Sequence, residues 1–252
     1  MISRMSPVAL VAVSLLLTGC GGGAVAATDH ASGSAPASSP SPASPSSPSS
    51  EISAEAAPRQ LPGVGPRMLA LIPADTRQVV LVTGRGAHSP LSTLALYERT
   101  DNGWQQTASW AAHNALRGWS GHHMAGDLRS PIGVYALTDA GGLLKNPGSK
   151  LPYSHSSGFV SPGTGFEGEP LAGSFDYVVA INYNRQRGTS PLDWTRPLGS
   201  SRGGGIWIHV DHGGPTHGCV SIAEDHMKEL LRTLDPALHP VAVMGDSAAL
   251  SR

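Results

Sequence analysis

The stretch Ile206-Trp-Ile-His-Val-Asp-His-Gly-Gly-Pro-Thr-His-Gly-Cys-Val-Ser221 decides how the rest of the chain is read. Its first residues, Ile206–His209, are apolar and β-forming and predict a strand; a Gly/Pro-rich loop follows, and its end delivers Cys219. Ser221-Ile-Ala-Glu224 has the form of a capping box, and Met227, Leu230, Leu231 and Leu234 follow at helical spacing, so a helix is expected to begin at Ser221. Cys219 would then sit just before a helix N-terminus, where backbone N–H groups and the helix dipole favour a thiolate. A thiol used as a nucleophile needs a base, and His209 at the strand end and His217 two residues before the cysteine are both candidates.

Composition excludes some classes of function. The 252 residues carry a formal net charge of −1 with 14% charged residues, which gives no basic surface for nucleic acid. With 31 Gly, 21 Pro and 5% aromatics, the chain is expected to be turn-rich and short of long helices. At the N-terminus, Arg4 and the apolar run Pro7–Leu17 form a segment too short for a stable membrane span, and Leu17-Thr18-Gly19-Cys20 follows at once. That tetrapeptide resembles a bacterial lipobox. The resemblance implies a signal peptide over 1–19, lipidation of Cys20 as the first mature residue, and an exported protein anchored in the cell membrane and facing the wall; an ordinary secretory signal is the alternative. If the lipid takes one of the two cysteines, Cys219 is an unpaired thiol in an exported protein, which marks it as reactive. Ala31–Ser50 contains only Ala, Ser, Pro and Gly, so residues 20–60 read as a linker, or equally as an O-glycosylated stalk.

Residues 61–252 are enough for one domain with its own core. Strands are expected at Val79–Thr83, Thr93–Arg99 and Trp104–Ala111, with Asp101-Asn102-Gly103 as a hairpin turn, then at Ile132–Thr138, Tyr177–Asn182 and His239–Met244. Asp139-Ala-Gly-Gly142 reads as a turn, and Asp235-Pro236 as the stop of the helix. Lys145–Pro170 is a long Gly/Pro/Ser-rich passage, expected near or over the functional site. Arg196–Gly205 is a second loop and ends in a glycine triplet. Gly126-Asp-Leu-Arg-Ser-Pro-Ile-Gly133 reads locally as a structural corner, and the adjacent His122 and His123 point to opposite faces if they lie on a strand, which disfavours a shared metal.

These residues resemble a known family. His209 followed by Thr216-His217-Gly218-Cys219-Val220 is similar to the signature of the L,D-transpeptidase (YkuD-like) catalytic domain, and Gly126–Gly133 is similar to that family's G-D-x-x-T-P-x-G segment, with Ser130 in place of Thr. The resemblance spans about Leu116–Met244. It implies a mainly β fold, a β-sandwich with one principal helix after the cysteine, and an enzyme without a cofactor or metal that acts on peptidoglycan stem peptides and is acylated by carbapenems. It also implies roles: Cys219 as nucleophile, His209 as base oriented by the Val210 carbonyl, His217 and Gly218 as the pair before the nucleophile, and their N–H groups with that of Cys219 as the oxyanion hole. Thr216, Ser221 and Asp127 fall at matching or neighbouring motif positions. Two departures stand out. The loop Val210–Pro215 is shorter than is general, and its His-Gly dipeptide is His212-Gly213, so His212 competes with His209 as base. Ser221 replaces the Arg or Asn frequent two residues after the nucleophile.

Two other functions fit the residues. A zinc amidase or peptidase would use His209, His212 and His217 with Cys219 or Asp211, though no H-E-x-x-H pair is present. A non-catalytic wall-binding lipoprotein would explain the shortened loop.

Overall fold

The computed structural model describes residues 60–252, so the signal peptide, Cys20 and nearly all of the linker lie outside the described residues. A four-residue helix α1, Pro66–Leu69, precedes β1 (Gln78–Gly84), β2 (Leu91–Thr100) and β3 (Gly103–His113). Short strands follow: β4 (Trp119–Ser120), β5 (Ser130–Pro131), β6 (Gly133–Ala136), β7 (Ala140–Gly142), β8 (Tyr153–His155) and β9 (Val178–Ala180). The chain ends with β10 (Trp207–Val210), β11 (Val220–Ile222), helix α2 (Glu224–Thr233), β12 (Val241–Asp246) and α3 (Ser247–Leu250).

Ten strands form one sheet in the order β6-β12-β1-β2-β3-β11-β10-β9-β7-β8, and β4 pairs with β5 separately. Two halves of this sheet share one core. Val80, Val82, Leu94, Leu96, Ala242 and Met244 from the first half cluster with Val179, Ile208, Val220 and Ile222 from the second, together with Met227, Leu230 and Leu231 of α2. Strands at opposite ends of an open sheet can meet in this way only if the sheet curls over itself, which gives the sandwich expected of the sequence. Alternation sends Val79 and Leu81 to the other face, where Leu61, Val64 and Met68 near α1 and Leu250 of α3 cover them. Burial on both faces explains the unbroken apolar run of β1.

The halves join where β11 meets β3, through the single register pair Ser221↔His113. A polar cluster reinforces this short seam. Asp211 Oδ1 lies 2.9 Å from His113 Nδ1 and accepts the Ser221 hydroxyl at 2.6 Å. A buried ion pair, Arg185 with Asp139 at 2.7 Å, fixes the start of the long 182–206 connection.

Most expected strands are present within a few residues of their expected bounds, and two expectations are corrected. Asp139–Gly142 is not a turn: Ala140–Gly142 is strand β7, paired with β8 and β9. Glycines occur there because the neighbours leave no room; a Cβ on Gly142 would collide with the Asp176 carbonyl, and one on Gly141 would stand 2.6 Å from the Phe159 ring. The helix does not begin at Ser221. Residues 220–222 are drawn into the sheet as β11, α2 starts at Glu224, and its N-cap residue, Ala223, has no capping side chain.

Two tests follow. Gly142→Ala forces backbone apart between strands and should cost about 1–3 kcal/mol, a fall in Tm of roughly 3–10 °C for a domain of this size, read by thermal unfolding. The Asp211 contact raises the His113 pKa, chiefly through the side-chain hydrogen bond. Its stabilisation is therefore present below the unfolded value of about 6.5 and lost as pH rises through the folded one. His113→Gln should lower Tm by about 2 °C more at pH 5.5 than at pH 9.

Candidate active site

The strand pair β10 and β11 positions the site. The two run parallel with Ile208 beside Val220 and His209 beside Ser221. Alternation therefore places Trp207, His209, Cys219 and Ser221 on one face, and Ile208, Val220 and Ile222 on the other, against α2. On the first face Cys219 packs with Trp207, Phe175, Phe159, Val178 and Ala180. His209 is the diagonal neighbour of Cys219 across the strand pair. Such neighbours lie roughly 7–8 Å apart at the backbone, a gap that a thiol and an imidazole side chain span.

His209 is 3% exposed, and its Nδ1 lies 2.8 Å from the Val210 carbonyl oxygen. A carbonyl can only accept, so Nδ1 carries the proton and Nε2 keeps its lone pair. Burial pulls the pKa of His209 down to about 4, opposed by the Val210 hydrogen bond, so the ring is neutral at ordinary pH. Phe175 meets it edge-on at 5.3 Å. His212, the competing histidine, stacks beside it at 5.8 Å and directs its own Nδ1 toward Glu169 Oε1, 3.2 Å away.

The thiol is buried too, and burial raises the Cys219 pKa to about 11, with the Trp207 N–H acting to lower it. Sγ accepts that N–H at 3.4 Å and lies 3.5 Å from the Gly205 carbonyl. Among the described residues no imidazole is hydrogen-bonded to it. The thiolate expected from a helix dipole is therefore not the resting state, because α2 begins five residues later and its N-terminus does not adjoin Cys219. Ser221, expected as a helix cap, instead binds Asp211.

The backbone around Cys219 is pinned from two sides. Its carbonyl accepts Thr216 Oγ1 at 2.7 Å and Ser130 Oγ at 3.2 Å. This gives the Gly126–Gly133 segment a role beyond that of a corner. Asp127 holds the segment's bend by accepting the Met124 and Arg129 N–H groups at 2.9 Å, and its carboxylate lies 2.9 Å from His123 Nδ1. The N–H groups of His217 and Gly218 make no hydrogen bond among the described residues. Both residues line, with Cys219, a cavity of about 480 Å³ that also takes in His123, Trp194, Arg196 and Gly203–Gly205.

The long passage expected near the site reaches its rim. Phe166 packs on His217 at 4.6 Å and Glu169 faces His212. Sequence reading missed Ser130, Trp194 and Arg196 as site residues. Ser130 lay inside a noted motif, whereas the other two are brought in by a loop whose only local signal was its glycine triplet. For the zinc alternative, no group of three or more His, Cys, Asp or Glu among the described residues is arranged to hold a metal.

Comparisons with known proteins bear on this geometry. No protein of curated function matches the chain. Among solved structures, one titled "Structure of Bdellovibrio bacteriovorus Bd1075" aligns at 19% identity with a TM-score of 0.38, covering 73% of this chain and 52% of that one. This chain thus spans about half the length of that protein. A family model described as the L,D-transpeptidase catalytic domain, YkuD, matches residues 92–243, from the second residue of β2 to the middle of β12, and takes in every residue of the cavity. With more than half of its length matched, the chain belongs to the YkuD family of L,D-transpeptidase catalytic domains.

Proposed function

We propose that the protein is an exported, lipid-anchored L,D-transpeptidase that works on peptidoglycan stem peptides through a thioester on Cys219. The observation that carries this reading is the placement of Cys219 and His209 on one face of β10 and β11, with His209 Nδ1 tied to Val210 and Nε2 making no hydrogen bond among the described residues. A neutral thiol beside a neutral imidazole suits a mechanism in which proton transfer accompanies attack. The Cys219 proton passes to His209 Nε2 as sulfur attacks the carbonyl that joins the L-centre of the third stem residue to the terminal D-Ala. The N–H groups of His217, Gly218 and Cys219 receive the oxyanion. The C–N bond then breaks, the leaving amine of D-Ala takes the proton from His209, and the donor remains as a thioester. The amine of a second stem attacks it, gives a proton to His209, and displaces the thiol, which is reprotonated; the product is a 3→3 cross-link. Water in place of the amine gives the L,D-carboxypeptidase outcome from the same residues.

Between the two histidines, the place of His209 on the strand face that carries Cys219 favours it as base; both rings turn Nδ1 to an acceptor, the Val210 carbonyl for His209 and Glu169 for His212. The lipobox at Leu17–Cys20 motivates the export and membrane anchor. No nucleic-acid partner is part of this reading. The experiment is an intact-mass measurement of the full chain with meropenem, followed by peptide mapping. A stoichiometric adduct on Cys219 is expected in the native protein and none in Cys219→Ala, while both unfold at the same temperature within 2–3 °C, roughly the scale of a single small substitution. Adduct formation that persists in Cys219→Ala would sink the assignment. His209→Gln should slow acylation by about 10²–10⁴-fold, whereas His212→Gln should stay within tenfold of native.

The raised thiol pKa gives a further expectation. Alkylation of Cys219 by iodoacetamide, which needs thiolate, should accelerate about tenfold per pH unit from pH 7 to 10, without a plateau near neutrality. A plateau below pH 8 would show a preformed thiolate.

A further inference from the structure

The glycine triplet Gly203-Gly204-Gly205 is a wall of the cavity that holds Cys219, and all three have positive φ, at 66°, 146° and 67°. What leans on it matters more than its conformation. A Cβ on Gly204 would run into the Arg196 side chain, 2.5 Å from its Cδ. A Cβ on Gly205 would stand 3.6 Å from Arg196 Nη2, and the carbonyl of this same Gly205 lies 3.5 Å from Cys219 Sγ. The absence of side chains thus lets the guanidinium and the thiol approach the same residue, Gly205, within one cavity.

Three further facts bear on Arg196. Among the described residues lining the cavity it is the one permanent charge, and no Asp or Glu is among them. Its Nη1 is committed to the Asp193 and Thr195 carbonyls at 3.1 Å, whereas Nη2 makes no hydrogen bond among the described residues. The Trp194 ring, 76% exposed, lies against the guanidinium at 4.7 Å. The Asp193 carboxylate acts on this guanidinium but makes no direct ion pair with it among the described residues, so a half-buried guanidinium with an unused Nη2 can take an anion from outside the chain, and a carboxylate matches its geometry.

We propose that Arg196 binds a substrate carboxylate beside Cys219, namely the terminal carboxylate of the leaving D-amino acid, and so restricts the enzyme to stems that end there. The inference rests on the transpeptidase reading above. The position of this carboxylate in the substrate selects it. The leaving residue's carboxylate is one residue from the attacked carbonyl, and the guanidinium and the thiol likewise approach a single residue, Gly205. The other carboxylates of a stem belong to side chains on the acyl side of the scissile bond.

The test uses the purified full chain and three tetrapeptide donors: one with all carboxylates free, one amidated only at the terminal D-Ala, and one amidated only at its side-chain carboxylates. Release of D-Ala or its amide gives kcat/KM. The native enzyme should favour the free terminal acid over its amide by roughly 10–100-fold, the worth of one charge-assisted hydrogen-bond pair. Arg196→Gln should lose that preference by falling on the acid and not on the amide, and Arg196→Lys should restore part of it. Iodoacetamide alkylation of Cys219 should be unchanged in both variants, which shows an intact site. A preference that survives in Arg196→Gln overturns the proposal. So does a native enzyme indifferent to the terminal group, or one whose Arg196-dependent preference follows the side-chain carboxylates. If no donor releases D-Ala while iodoacetamide still alkylates Cys219, the transpeptidase reading fails and the inference falls with it. Release from acid and amide alike leaves that reading standing and overturns the role of Arg196.

Discussion

The parallel register of β10 on β11, with Ile208 beside Val220, is the constraint on which the site depends. Side-chain direction in a strand has a period of two, so a slip of one residue would send Cys219 into the helix-covered core and bring Val220 to the cavity. Parallel neighbours ordinarily need a crossover of a dozen or more residues. Here the return is made by residues 211–219, which is sufficient because both strands are only three or four residues long. The short loop that departs from the family pattern is thus matched to short strands. It is fastened at both ends, by Asp211 to His113 and Ser221, and by Thr216 to the Cys219 carbonyl and, through its backbone, to Asn114 and Leu116.

Burial then decides the resting chemistry. The face that carries Cys219 and His209 is covered by Phe159, Phe175 and Trp207, and removal of water favours the neutral form of each group. Desolvation pushes the two pKa values apart, to about 11 and about 4, the opposite of what a preformed thiolate–imidazolium pair requires. A buried imidazole that is neutral and held in one tautomer can accept a proton, and the N–H groups of His217 and Gly218, unpaired among the described residues, are the donors that the proposed mechanism calls on.

Much of this was legible in the sequence because it is local. The Ile206–His209 strand, the Cys219 motif and the Asp127 corner each announce themselves within a few residues, and the Val210 carbonyl adjoins its histidine by chain order. What misled was also local. Ser221-Ile-Ala-Glu224 satisfies a capping pattern, yet the pairing of Ser221 with His209 on one side and His113 on the other claims the segment for the sheet, and tertiary pairing outweighs a cap worth about 1 kcal/mol. Gly141 and Gly142 read as turn formers, and only the crowding of Phe159, Tyr153 and Asp176 shows that they are glycines for lack of space. Arg196 and Trp194 could not be read at all, since their proximity to the thiol is created by the fold of the 182–206 connection.

That connection shows how structural and functional constraints divide one loop. Its first part is anchored by the Arg185–Asp139 pair, and Asn184, at φ 45°, binds the Gly199 and Gly203 carbonyls and the Leu198 N–H, so the later part is tethered to the earlier one. Tyr183 adds its hydroxyl to the Arg202 and His123 carbonyls. With both ends fixed, residues 194–196 are presented to the cavity by a rigid support. Placement to within the few tenths of an ångström that a charge-assisted contact requires comes from such buried anchors, and not from the side chain that would make the contact.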